Sequence, residues 1–157
     1  MIVFIGSFPG TETKKLCKTL ALRLGLRHVQ KEELEKNIKP KNFEALKQKV
    51  QEEEKKGNFI TDSILTGRQL QKAVKIFLNS GKKQRAKTLS ELEKTTMAAA
   101  LEKNEEEEKS TAKLLSAASL GNEYFNAEEF DLVLNIDRLN EDSTIALIEK
   151  FLEKIQK

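Results

Sequence analysis

The feature that most constrains the fold is a change of period near the N-terminus. Residues 2–5, Ile-Val-Phe-Ile, form a short continuous apolar run with β-branched members. It stops at Gly6, and Pro9-Gly10 follows. Such a run reads as a strand buried on both faces and leaving through a turn. From Thr13 onward Leu16, Leu20 and Leu24 recur at i, i+4 and i+8, with Lys and Arg between them. That spacing places one apolar stripe on a helix, and Gly25 follows as its stop signal. A buried strand, a Gly/Pro turn and an amphipathic helix are the first two elements of a βαβ unit.

The rest of the chain repeats the alternation. Residues 26–29, 59–61, 73–78 and 130–136 read as four further strands. Residues 31–38 and 41–56 are rich in Glu and Lys and read as exposed helices, separated at Pro40. Residues 82–120 are helical in composition, and 141–156 close the chain as a helix behind an Asn140 cap. This order predicts one α/β domain over 1–157, a five-stranded parallel sheet with helices on both faces and a helical lid at about 82–121. Ligands of such sheets bind beyond the carboxyl ends of the strands, which points first at Gly6–Thr13.

A phosphate-binding turn needs glycines so that backbone N–H groups can converge on the anion. It also needs a lysine for the outer phosphate oxygens and a Ser or Thr for magnesium. Here the turn runs Gly6-Ser7-Phe8-Pro9-Gly10-Thr11-Glu12-Thr13-Lys14-Lys15 into a helix start. The setting is right and the strict spacing is absent. A Gly-Pro turn ahead of a helix also has a purely structural reading, with Glu12 and Thr13 as caps of the first turn.

Several stretches together resemble the small cytidylate kinases of the P-loop nucleoside-monophosphate kinase family. These are the opening strand and helix ending Leu24-Gly25-Leu26, and Gly57-Asn58-Phe59-Ile60-Thr61-Asp62. With them go Val74-Lys75-Ile76-Phe77-Leu78 followed by Arg85-Ala86, and Phe130-Asp131-Leu132-Val133-Leu134-Asn135 before the last helix. The resemblance implies a nucleotide site, and ATP and Mg2+ as its cofactors only if the chain is an active kinase. Counted back from Gly25, the family's Gly-Ser-Gly-Lys-Ser core falls on Gly10-Thr11-Glu12-Thr13-Lys14, so only Gly10 survives. The family's Asp-Gly-Arg element keeps Asp62, with Ser63 and Ile64 in place of the other two. The lid arginines give way to Glu105-Glu106-Glu107-Glu108-Lys109.

The resemblance therefore names Gly6, Gly10, Thr11, Thr13 and Lys14 as phosphate-loop candidates. Glu33, Lys36, Asp62 and Arg68 are candidates for the monophosphate site. Lys14, Lys15 and Arg85 would carry catalysis if the chain is active. Phosphoryl transfer rests on positioning and charge, so these losses bear directly on rate. A carboxylate about 5 Å from a phosphate charge is repelled by roughly 3 kcal/mol at an effective dielectric near 20. Losing an arginine clamp costs on the order of 10³ in rate. The favoured reading is a phosphate-transfer-impaired homologue that binds a nucleotide or a protein. The alternatives are an active CMP kinase and a basic module for RNA or an acidic protein.

The charge layout is uneven although the net charge is only +3. Residues 67–90 hold seven basic groups and no acid, and 91–109 hold seven acids and three lysines. The two blocks either pair within the fold or face partners. A single Cys17 excludes a disulfide framework, and a single His28 without cysteine partners gives no metal site. With one Tyr124 and no Trp, there is no aromatic platform for single-stranded nucleic acid. No apolar stretch reaches the ~20 residues of a membrane span, and no signal peptide is expected, so a cytoplasmic location is expected.

Overall fold

The computed structural model describes residues 1–155 of the 157. The strands are β1 (Ile2–Ser7), β2 (Arg27–His28), β3 (Phe59–Thr61), β4 (Val74–Asn79) and β5 (Leu132–Asn135). They form one sheet in the order β2-β3-β1-β4-β5, with every adjacent pair parallel. The helices are α1 (Thr13–Leu24), α2 (Lys31–Leu34), α3 (Phe43–Lys56), α4 (Ile64–Gly67), α5 (Lys82–Glu93), α6 (Met97–Ala117) and α7 (Glu141–Ile155). The five-stranded parallel sheet expected from the alternating pattern is therefore present.

β1 lies at the centre, with Val3 opposite both Ile60 of β3 and Val74 of β4. Its side chains alternate between faces, as a pleated strand requires. Ile2 and Phe4 enter one core with Phe59, Phe77, Leu46, Leu65 and Leu115. Val3 and Ile5 enter the other with Leu16, Cys17, Leu20, Ile145 and Ile148. The second core explains the α1 stripe: its leucines meet α7 across the back of the sheet. Gly25 ends α1 in the left-handed region (φ 65°), where a side chain would be strained. Asn140 caps α7 as expected, accepting from the Ser143 N–H at 2.8 Å. The last position of the expected final helix, Gln156, lies outside the described residues.

Four departures from the sequence reading matter for the site. The helix expected over 31–38 starts at a capping box of Gln30 and Glu33 but stops at Leu34, where Glu35 leaves the helical region (φ −102°, ψ 11°) and Asn37 turns left-handed (φ 60°). The helix α4 was not anticipated; Ser63 caps it by accepting from the Thr66 N–H at 3.3 Å. The helical region from 82 is a hairpin of two helices, broken where Lys94 adopts φ 52°. Glu12 stands at the N-cap of α1 but makes no side-chain capping bond.

The charge blocks meet inside this hairpin. Lys82 of α5 lies 3.7 Å from Glu105 of α6, Arg85 lies 3.9 Å from Glu108, and Lys103 reaches back to Glu93 at 2.5 Å.

Candidate functional site

The turn after β1 rests on Gly10 and on hydrogen bonds within the loop itself. Gly10 has φ 87°, which glycine tolerates and other residues do not. Within the turn the Thr11 N–H donates to the Phe8 carbonyl at 3.4 Å, and the Thr13 N–H donates to the Thr11 carbonyl at 2.8 Å. Two amides are thus spent inside the loop instead of being aimed at an anion. Gly6 still lies within β1, opposite Phe77, and a side chain there would press on Phe77, Ile64 and Phe4. Its role is close packing.

Thr13 occupies the position that the resemblance gives to the phosphate-loop lysine. It is buried, and its hydroxyl shares a 2.5 Å hydrogen bond with the Ser7 hydroxyl. Lys14, one residue on, is exposed and lies 3.7 Å from Glu32. The Glu32 carboxyl is held below its usual range, first by its own backbone N–H and then by Lys14 and Lys31. Lys15 points the other way, to Glu141 at 2.8 Å, and that hydrogen bond raises its pKa.

Arg85 and Arg68 both face carbonyl groups. Arg85 is 4% exposed; its guanidinium donates to the Pro9 carbonyl at 2.9 Å and the Ser80 carbonyl at 3.1 Å. It also lies 4.9 Å from the centre of the Phe8 ring. Burial pulls its pKa below the ordinary arginine value, and Glu108 works against that. Arg68 donates to the Leu120 carbonyl at 3.1 Å and the Glu123 carbonyl at 2.7 Å, and it pairs with Glu129 at 2.9 Å. Both cations therefore staple loops.

A cleft of about 460 Å³ opens beyond the strand ends, between the β1 turn, α2, α4 and α6. Of the sequence candidates, Gly10, Thr11, Thr13, Lys14 and Asp62 line it. Among the described residues, Gly6, Lys15, Glu33, Lys36, Arg68 and Arg85 are not part of its wall. Glu33 is occupied by the capping box, accepting from the Gln30 N–H at 2.7 Å, and Lys36 is exposed. The wall holds Lys14 and Lys31 as its cations, against Glu32, Glu35, Asp62 and Glu107. The position corresponding to the family's Asp-Gly-Arg arginine is Ile64, which is buried in the core.

Glu35 was missed. It is 9% exposed and accepts from Ser63 Oγ, the Thr66 N–H (3.0 Å) and the Thr66 hydroxyl (2.6 Å). These donors fix its carboxylate at the cleft wall and tie α2 to α4. Asp62 sits beside it, with His28 Nε2 3.6 Å from Asp62 Oδ1. Tyr124 closes the other side; its hydroxyl donates to the Ser7 carbonyl at 2.8 Å, and its ring stacks on Phe8 at 5.4 Å. Burial raises its pKa well above the ordinary tyrosine value. Cys17 is wholly buried on α1, and that burial pushes its thiol up, as packing rather than reactivity requires. Among the described residues no cluster of His, Cys, Asp and Glu is arranged to hold a metal ion.

A second recess of about 210 Å³ lies on the opposite side of the turn, walled by Glu12, Gln84, Asp137 and Glu141. Gly10, Thr11 and Thr13 line both spaces, so the turn is a partition between them. Asp137 is itself held by the Ser80 hydroxyl at 2.6 Å and the Gly81 N–H at 2.9 Å. No helix among the described residues is long and apolar enough to cross a membrane.

No family model matches the chain, and no curated protein matches it by sequence. Solved structures do. A crystal structure titled as an uncharacterized protein from Eubacterium ventriosum overlays with a TM-score of 0.81 at 17% identity, covering 98% of each chain. A shikimate kinase from Bacteroides thetaiotaomicron overlays with a TM-score of 0.59 at 14% identity, also over 98% of each chain. At these identities the likeness concerns the backbone, and it shows that the chain shares the five-stranded parallel α/β fold of these structures.

Proposed function

We infer that the chain is a cytidylate-kinase-like member of this fold whose phosphate turn no longer supports ordinary phosphoryl transfer, and that its cleft remains a ligand pocket. The observation that carries this reading is Thr13. At the lysine position stands a buried hydroxyl paired with Ser7, and the next cation, Lys14, is exposed and shared with the Glu32 carboxylate at 3.7 Å. Transfer of a phosphoryl group requires positive charge at the transferring oxygens. Here the two candidate arginines, Arg68 and Arg85, are spent on the carbonyls of Pro9, Ser80, Leu120 and Glu123. The cleft wall adds four carboxylates against two lysines, which opposes a phosphate monoester. The pairing of Lys82 with Glu105 and of Arg85 with Glu108 also weakens the basic-module alternative, since those charges are met within the hairpin. A nucleotide or a protein remains the partner class, and the cytoplasm the location, that this reading assigns.

One observation favours an active CMP kinase using ATP and Mg2+: Lys14 does line the cleft, at its phosphate-turn end. The two readings separate in one experiment. ADP formation is measured with ATP, Mg2+ and CMP, dCMP or UMP, beside calorimetric titrations of ATP and CMP with and without magnesium. The impaired reading expects no turnover. Robust turnover abolished by Lys14→Ala would refute it.

A further inference from the structure

Helix α6 carries an asparagine where neither propensity nor burial favours one. Asparagine is a weak helix former and is seldom fully buried. Asn104 is nevertheless 3% exposed, and neither its Oδ1 nor its Nδ2 has a hydrogen-bond partner. The place it occupies is specific. A Cβ built on Gly10 would stand 2.5 Å from Asn104 Nδ2, 2.8 Å from Oδ1 and 2.9 Å from the Arg85 carbonyl oxygen. The amide therefore lies directly on the face of the turn that glycine leaves open. In a phosphate-binding turn that open face is what lets an anion approach the backbone. The Thr11 hydroxyl, the next residue along, is likewise buried without a partner.

Two groups from the α5–α6 hairpin thus hold the turn. Arg85 takes the Pro9 carbonyl from one helix, and the Asn104 amide fills the seat at Gly10 from the other. The contact is costly to maintain, because buried amide atoms without partners incur the full desolvation penalty. A contact that excludes a ligand while paying such a penalty is suited to being released.

We propose that Asn104 is an autoinhibitory plug, seated on Gly10 by the α5–α6 hairpin, that must withdraw before a di- or triphosphate group can enter the turn. The proposal rests on the reading of this turn as a former phosphate site. Release moves α6 away from Gly10 and lets both the Asn104 amide and the Thr11 hydroxyl find polar partners.

The test uses the full chain as wild type, Asn104→Ala, Asn104→Ser and Asn104→Leu. Each is titrated calorimetrically at low ionic strength with inorganic pyrophosphate and, separately, with ATP, and each is melted without ligand. Alanine and serine vacate the seat, so both variants bind pyrophosphate at least about tenfold more tightly than wild type. Leucine refills the seat without polar atoms, so that variant binds no more tightly than wild type and melts higher. A gain with ATP that exceeds the gain with pyrophosphate assigns the ligand to the nucleotides, and equal gains assign it to the polyphosphate group alone. The proposal is overturned if all four proteins bind equally or none binds, or if leucine gains as much as alanine. Turnover by wild type would sink the impaired-transfer reading, and it is scored separately from these affinities.

Discussion

Replacing Arg85 with methionine separates a structural guanidinium from a catalytic one. The side chain is 4% exposed and donates to two carbonyl groups, those of Pro9 and Ser80. A hydrogen bond from a charged donor contributes about 1.5–3 kcal/mol, so two contribute roughly 3–6 kcal/mol. The contact with Phe8 at 4.9 Å adds about 0.5–2 kcal/mol. Against these stands the cost of burying the cation, several kcal/mol, which methionine removes. The net loss comes to about 3 kcal/mol, a large share of the ~5–15 kcal/mol that holds a domain. At roughly 2–4 °C per kcal/mol for a chain of this size, the melting temperature falls by about 6–12 °C. Urea unfolding at neutral pH measures the free energy directly, with Lys82→Met as the control, because Lys82 is exposed and its pair with Glu105 contributes little. A loss below about 1 kcal/mol for Arg85→Met, or an equal loss for the control, would refute the stapling argument.

Other perturbations follow from single contacts. A Cβ at Gly67 would fall 2.2 Å from the Phe4 ring, so Gly67→Ala should cost about 3 kcal/mol or more by overpacking. The double variant with Phe4→Leu should recover part of that, as read from a urea double-mutant cycle. Burial works to raise the Glu53 carboxyl, but hydrogen bonds from Lys56 and Arg27 outweigh it and leave its pKa below the ordinary value of 4.5. Its contribution is therefore present at neutral pH and is lost as pH falls through the depressed value. The stability gap between wild type and Glu53→Gln should be open at neutral pH and closed in strong acid, and a gap independent of pH would contradict the assignment. Cys17, buried with a raised pKa, should resist iodoacetamide in the folded protein at mildly alkaline pH and react promptly in urea. Mass spectrometry reads both.

What could be read from the sequence divides by range. The strand–turn–helix opening was legible because an apolar run and an i, i+4 stripe are local signals, and the core that they build is the one observed. The helix α4 was not, because Ser63–Gly67 is too short to show a period and its cap is a single serine. Glu35 was missed in favour of Glu33 and Lys36 for a related reason. The helix α2 ends after one turn, where Glu35 and Asn37 leave helical geometry, and the chain then bends so that Glu35, rather than its neighbours, meets Ser63 and Thr66. Asn104 left a usable signal, a weak helix former within an Ala, Glu and Lys stretch, but its partner Gly10 is remote in sequence. The roles of Arg68 and Arg85 were hidden most completely. Three of their four carbonyl acceptors lie 52, 55 and 76 residues away, and no local pattern distinguishes an arginine facing a phosphate from one facing a carbonyl.

The charge layout and the turn belong to one explanation. Exposed ion pairs such as Lys82–Glu105 contribute little stability, so the acids of α6 are not there mainly to strengthen the hairpin. Their consequence is one of position. Glu108 lies beside Arg85 and Glu107 reaches the cleft, while Asn104, one turn earlier on the same helix, seals Gly10. A helix bearing arginines at these positions would be drawn toward a bound phosphate. A helix bearing glutamates is repelled by one and rests instead on an empty-faced glycine. Charge on α6 and packing at Gly10 thus favour the same closed arrangement. For that reason Asn104→Ala alone should restore only part of the anion affinity, while the acids of α6 continue to oppose it, more strongly at low salt than at high salt.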